Sequence, residues 1–180
     1  MKIIRFLKFI PILVYSYAWY YSNTQIDYMG SATAPEWTDP VLLTSFLLSV
    51  IVCIWHIVVC ALGKHTGKET SIYALILKLL PIYPCLEMSV HAFGALIVPI
   101  FGILGSALII FYLITIMALT GTAQVGCIIC LLREKKISLP AAIICGILSY
   151  TLIADIIAAI FLIISSRKQV NPYQYNRATY

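Results

Sequence analysis

From Met88 to Leu132 the chain runs for 45 residues without one Asp, Glu, Lys or Arg. A soluble fold must cover its surface with polar groups and has no place for such a run, whereas a bilayer offers it lipid as solvent. Roughly 20 apolar residues span the hydrocarbon core as a helix, so this run is long enough for two crossings. A second run, Val41 to Leu62, holds 22 residues without a charge. Charged residues make up 11% of the chain, against about 25% in soluble domains. The reading is an all-α, polytopic transmembrane helix bundle forming one integral membrane domain over 1–180. The polar stretches Ser22–Pro40, Gly63–Thr70 and Ser165–Tyr180 are too short for a separate soluble domain.

Topology follows from where the charges fall. Lys2, Arg5 and Lys8 precede an apolar run that ends in Trp19, Tyr20 and Tyr21, an interfacial aromatic cluster with no small-x-small cleavage site behind it. This predicts an uncleaved helix over 3–21. The segment Ser22–Pro40 carries Asp27, Glu36 and Asp39 and no Lys or Arg, whereas Lys64, Lys68, Arg133, Lys135 and Lys136 crowd the next two loops. By the positive-inside rule the first loop lies outside, and the N-terminus and basic loops lie in the cytosol. Five spans are expected, over 3–21, 41–62, 84–104, 106–132 and 139–164, with Gly102–Ser106 as an outer turn and a kink at Pro99. Residues 71–80, apolar except for Lys78, read as a short interfacial helix with Lys78 snorkelling to water. The prolines Pro81 and Pro84 then break the helix. Arg167, Lys168 and Arg177 conflict with the fifth span, because they follow it on what would be the outer side.

Ionisable residues inside spans are expensive and mark candidate sites. Counting about 1.5 Å per residue from these expected ends puts His56, His91, Gln124 and Cys127 in one inner layer and Asp155 in the outer third. His56 and Cys60, like Glu87 and His91, are four apart on one helical face. Imidazole, thiolate and carboxylate are metal-ligating groups, so His56, Cys60, Glu87 and His91 form a hypothetical metal or proton site. The competing reading is that they satisfy one another or backbone carbonyls. Gln124 and Asp155 are the other intramembrane polar candidates, with Ser45, Ser49 or Tyr17 as partners for Asp155. No cofactor is implied. All six cysteines fall in apolar segments, which argues against a disulfide framework. Cys127-Ile-Ile-Cys130 is a CxxC, but no second cysteine pair lies in a loop to exchange electrons with a soluble partner. Thr115, Ala118, Thr122 and Gly126, and Ala154 with Ala158, read as small-residue contact stripes.

Thr115-Ile-Met-Ala-Leu-Thr-Gly121, Glu134-Lys-Lys-Ile-Ser138 and Asp155-Ile-Ile-Ala-Ala-Ile160 resemble small, functionally unassigned polytopic membrane proteins of Gram-positive bacteria, over about Leu75 to Lys168. The resemblance implies a bacterial plasma membrane and no known chemistry. Members carry an acidic residue where this chain has Tyr112. The expected function is a non-enzymatic accessory or immunity-type factor acting through helix contacts, with the bilayer and another membrane protein, or a second copy, as partners. Nucleic acid is not expected, since the basic residues sit at helix ends. The alternative is a transporter or channel subunit that moves protons or a metal cation through the inner polar layer.

Overall fold

The computed structural model describes residues 2–29, 36–97, 101–151 and 154–167. The described residues are helical and contain no strand: α1 (Lys2–Leu7), α2 (Ile10–Met29), α3 (Thr38–Ala61), α4 (Gly67–Leu79), α5 (Ile82–Ala95), α6 (Phe101–Arg133), α7 (Leu139–Leu148) and α8 (Ala154–Ser166). Three helical stretches are long and apolar enough to cross a membrane, Thr38–Ala61, Gly67–Gly94 and Ile103–Arg133. The second joins α4 to α5.

Several expected boundaries move. The expected helix over 3–21 is two helices, α1 and α2, with a turn at Lys8 and Phe9 between them, and α2 continues past Tyr21 to Met29. Gly102 and Gly105 lie within α6 and make no turn. The expected kink at Pro99 lies outside the described residues. Residues 71–80 belong to α4, which buries Thr70, Ser71, Tyr73, Ala74, Leu77 and Lys78. A surface-lying helix would keep Lys78 in water, so the interfacial reading gives way to a packed helix in line with α5. The interruption between them has a local cause. Pro81 and Pro84 lack the N–H groups that would take the carbonyls of Leu77 and Leu80 in a continuous helix. The Tyr17 hydroxyl of α2 donates to the Leu80 carbonyl at 2.8 Å.

The largest departure lies after α6. The expected span 139–164 is two helices, and they fold back on one another. Ser166, at the end of α8, accepts from Lys136 Nζ through its carbonyl at 3.1 Å, just before α7 begins. Its hydroxyl also takes the Ser71 hydroxyl at 3.3 Å, near the start of α4. At 10 and 13 residues, α7 and α8 are about 15 and 20 Å long, short of the ~30 Å core.

One end of the bundle therefore gathers the basic segments. Arg5 pairs with Glu69 at 3.1 Å. The Arg133 guanidinium donates to the Cys60 carbonyl at 3.0 Å, and Glu134 accepts from Gly67 N at 2.6 Å. The turns here are tight. Gly63, at φ +82°, closes α3 with Gly63 N→Cys60 O and Lys64 N→Val59 O bonds. This is a Schellman cap, which needs a left-handed residue at that position. At the centre of the bundle, Tyr112 is fully buried, stacks on Trp19 with ring centroids 4.1 Å apart and donates to the Ser16 carbonyl at 2.9 Å. Its aromatic bulk ties α2 to α6.

Candidate functional site

Lys78 and Asp155 form a salt bridge with side chains only 4% and 6% exposed. Lys78 lies eleven residues past Gly67 on α4, and Asp155 eleven residues before Ser166 on α8. Both counts give about 16 Å from the basic end, half the thickness of a ~30 Å core. The two helices run antiparallel, so the equal depth is what brings the charges together. Asp155 was expected in the outer third, with Ser45, Ser49 or Tyr17 as partner. Its partner is Lys78, and its depth changes because α8 returns toward the basic end.

The hairpin tip is built to hold this pair. α7 ends at Leu148, with Ser149 as its cap, so its last carbonyls have no intrahelical donor. The Ser149 carbonyl takes the Lys78 ammonium at 2.9 Å. A cation at a helix C-terminus and a carboxylate in the first turn of the next helix each sit at the favourable end of a helix dipole, and Asp155 lies in the first turn of α8. Gly121 of α6 lets the tip approach, because a Cβ there would come within 2.7 Å of the Ser149 carbonyl oxygen. Asp155 Oδ1, however, is buried with no hydrogen-bond partner. It borders a cavity of about 30 Å³ walled by Lys78, Pro81, Ile116, Thr120 and Thr151 among others. At roughly 10–15 Å³ per water-sized probe, that is room for about two waters and not for an organic substrate.

The expected inner layer divides into two places. His56 and Cys60 do lie together, with Cys60 Sγ 3.7 Å from His56 Nε2, and Gly126 of α6 makes room for them, since a Cβ there would meet the His56 ring at 2.8 Å. Their neighbour is Lys8, whose Nζ lies 3.0 Å from His56 Nδ1 and 3.3 Å from His65 Nε2. An ammonium has donors only, so both ring nitrogens accept. A metal would need those same lone pairs, and the ammonium occupies them. Outside the spans, burial first and the Lys8 charge second hold His65 below the ordinary imidazole pKa.

Glu87 and His91 are elsewhere. Tyr20 donates to Glu87 at 2.6 Å, and His91 Nδ1 lies 2.9 Å from the Glu87 carbonyl, within α5. Tyr20 is twelve residues from Lys8 along the first helical segment, or about 18 Å. Counting depth from Pro84 put Glu87 near the basic end. Counting from Gly67, where the helical path begins, puts it near the opposite end. Among the described residues no three His, Cys, Asp or Glu side chains could hold a metal ion together, so the four-residue site does not assemble. Gln124 is fully buried on α6, and both its amide atoms lack a hydrogen-bond partner. The α6 contact face also differs from the expected stripe: Thr120, Ala123, Gln124, Cys127 and Cys130 are buried, whereas Ala118 is exposed.

Lys78 was the residue sequence reasoning misplaced. A lone lysine in an apolar stretch, with a lone aspartate of opposite sign in another, was the available signal. Comparison with protein-family models, with curated proteins and with solved structures gave no match.

Proposed function

We propose that this chain is a multi-pass plasma-membrane protein of carrier or channel type, and that its working element is the Lys78–Asp155 pair, switched by protons. On this reading the first helical segment (α1 with α2), α3, α4–α5 and α6 cross the bilayer, and α7–α8 is a re-entrant hairpin. The expected five spans become four plus the hairpin. The basic end faces the cytosol by the positive-inside rule, and Ser166 and Arg167 lie there too. This removes the conflict that Arg167 posed for a fifth crossing.

The observation that carries the proposal is the buried ion pair halfway across. A charged pair in lipid is costly, and such residues belong to ion and proton pathways more than to packing. An interrupted helix meeting a second discontinuous element at the midplane is also the architecture that builds transport sites in membrane proteins. Protonating Asp155 would break the pair and release the hairpin tip from α4, which gives two arrangements with one proton between them. The accessory-factor reading gives the pair no task, so the transport reading replaces it, with the working layer moved from His56 and Cys60 to the midplane.

The test is proton flux. Purified protein in liposomes, with a pH-sensitive dye inside, receives an acid pulse outside. The expected result is uptake well above empty liposomes, lost in Asp155→Asn. If wild-type vesicles behaved like empty ones under either sign of potential, the proposal would fail and the accessory-factor reading would stand.

A further inference from the structure

Apart from Thr38 Oγ1 at the far end of α3, the buried polar atoms without hydrogen-bond partners among the described residues run from the basic end inward: His65 Nδ1 and Glu134 Oε2 at that end, Gln124 Oε1 and Nε2 inside α6, and Asp155 Oδ1 at the hairpin tip. Counting back from Arg133, Gln124 is nine residues and Thr120 thirteen residues into α6, or about 14 and 20 Å. Thr120 is one turn from Gln124 and borders the same cavity as Asp155. His56 packs against α6 at Gly126, two residues from Gln124 toward the basic end. Lys8 joins His56 to His65. From the basic end come His65 and Lys8, then His56, then Gln124 at about 14 Å, with Asp155 at about 16 Å and Thr120 at about 20 Å.

A fully buried amide with neither atom bonded is an anomaly. Buried polar groups in native proteins nearly always find protein or water, and leaving them bare costs stability. An apolar residue of the same size would pack at this position without that cost. We infer that Gln124 is a water-binding residue, and that a file of water molecules runs from the basic end past His56 and Gln124 to the Asp155 cavity. Gln124 supplies a donor and an acceptor, so it holds water on both sides of itself. Thr120 gives its proton to the Ile116 carbonyl at 2.9 Å, which leaves its oxygen lone pairs facing the cavity as acceptors. The neutral amide of Gln124 carries no charge, so it orders water without trapping an ion.

This deepens the proposed function, by assigning the route from the cytosolic side, but hydration is measurable without any flux. The experiment is X-ray radiolytic labelling of the wild-type protein in detergent, in water enriched in ¹⁸O, read by peptide mass spectrometry. Hydroxyl radicals born on bound water mark the side chains beside it. His56, packed at Gly126, and Cys127 both lie within one turn of Gln124 on its basic-end side and are 1% and 0% exposed, and Met88, in an apolar cluster, is 2% exposed. After correction for intrinsic reactivity, His56 and Cys127 are expected to label at least tenfold faster than Met88, with ¹⁸O incorporated. Gln124→Leu is expected to bring Cys127 down to the Met88 rate. Labelling of His56 and Cys127 as slow as that of Met88 in the wild type would overturn the water file, whatever the flux assay gives. Fast labelling beside absent flux would keep the file and sink the transport reading.

Discussion

Two lysines are withdrawn from bulk water in this molecule, and they are held in different ways. Lys8 sits at the basic end between two imidazoles, half-buried beside the loops. Lys78 sits halfway along the bundle against a carboxylate and the last carbonyl of a helix. Near the surface, neutral acceptors are enough, because water still screens the ammonium. At depth, desolvation is large and only an opposite charge with further hydrogen bonds offsets it. Burying Lys78 therefore required a second charged residue, Asp155, and a hairpin to carry it there.

The comparison breaks most readily at depth. Lys78→Met leaves the Asp155 carboxylate buried and unpaired, and is expected to cost about 3–5 kcal/mol, read as loss of monodisperse protein and a lower melting temperature in detergent. A loss under about 1 kcal/mol would mean that the carboxylate reaches water in the folded protein. Next in size is Gly121→Ala. Its Cβ meets a backbone oxygen that cannot rotate away, and overpacking of this kind costs about 1–3 kcal/mol. Gly105→Ala, where a Cβ meets nothing within 4 Å, is the matched control and is expected to be neutral or mildly stabilising. If both behaved alike, the hairpin tip would not rest on α6 at Gly121.

The basic end is expected to respond less. Lys8→Met strips the donor from two imidazoles near water and is expected to cost about 1–2 kcal/mol, less than Lys78→Met in the same assay. An equal or larger loss would reverse the comparison. The smallest effect is that of pH. The folded state holds His65 below its ordinary pKa, so the unfolded chain takes up its proton first as pH falls. The stability tied to neutral His65 is complete above about pH 6.5 and is lost as the pH drops below that value. Between pH 7.5 and 5.5 the melting temperature of the wild type should fall more than that of His65→Gln. Parallel curves would remove His65 from this account.

How much of this could be read in the sequence depended on the kind of signal. The long charge-free runs identify helices long and apolar enough to cross a membrane, because lipid imposes length and apolarity on each segment by itself. Boundaries were legible where glycine or proline marks them, as at Gly63 and Pro81. The hairpin was not. Leu139 to Ile164 is a near-continuous apolar stretch, and its turn at Ser149, Tyr150 and Thr151 carries neither Gly nor Pro, so its length alone reads as one span. The basic residues after it were the one contrary sign. The site failed for a related reason. Depths were counted from the wrong helix start for Glu87 and His91, and along a helix that turns back for Asp155. A pairing such as Lys78 with Asp155 is a tertiary fact: neither residue's own neighbours specify it.

Lys78 and Asp155 meet halfway along the bundle because α7 and α8 fold back against α4. A double-mutant cycle on Lys78→Met, Asp155→Leu and the pair together measures that contact directly, by equilibrium unfolding in mixed detergent. Each single change is expected to destabilise strongly, and the double change to recover much of the loss, since two apolar residues of similar volume replace a buried pair at little cost. The predicted coupling is about 2 kcal/mol or more. Losses that simply add, within about 0.5 kcal/mol, would contradict the account, because residues on opposite sides of the membrane would give that result.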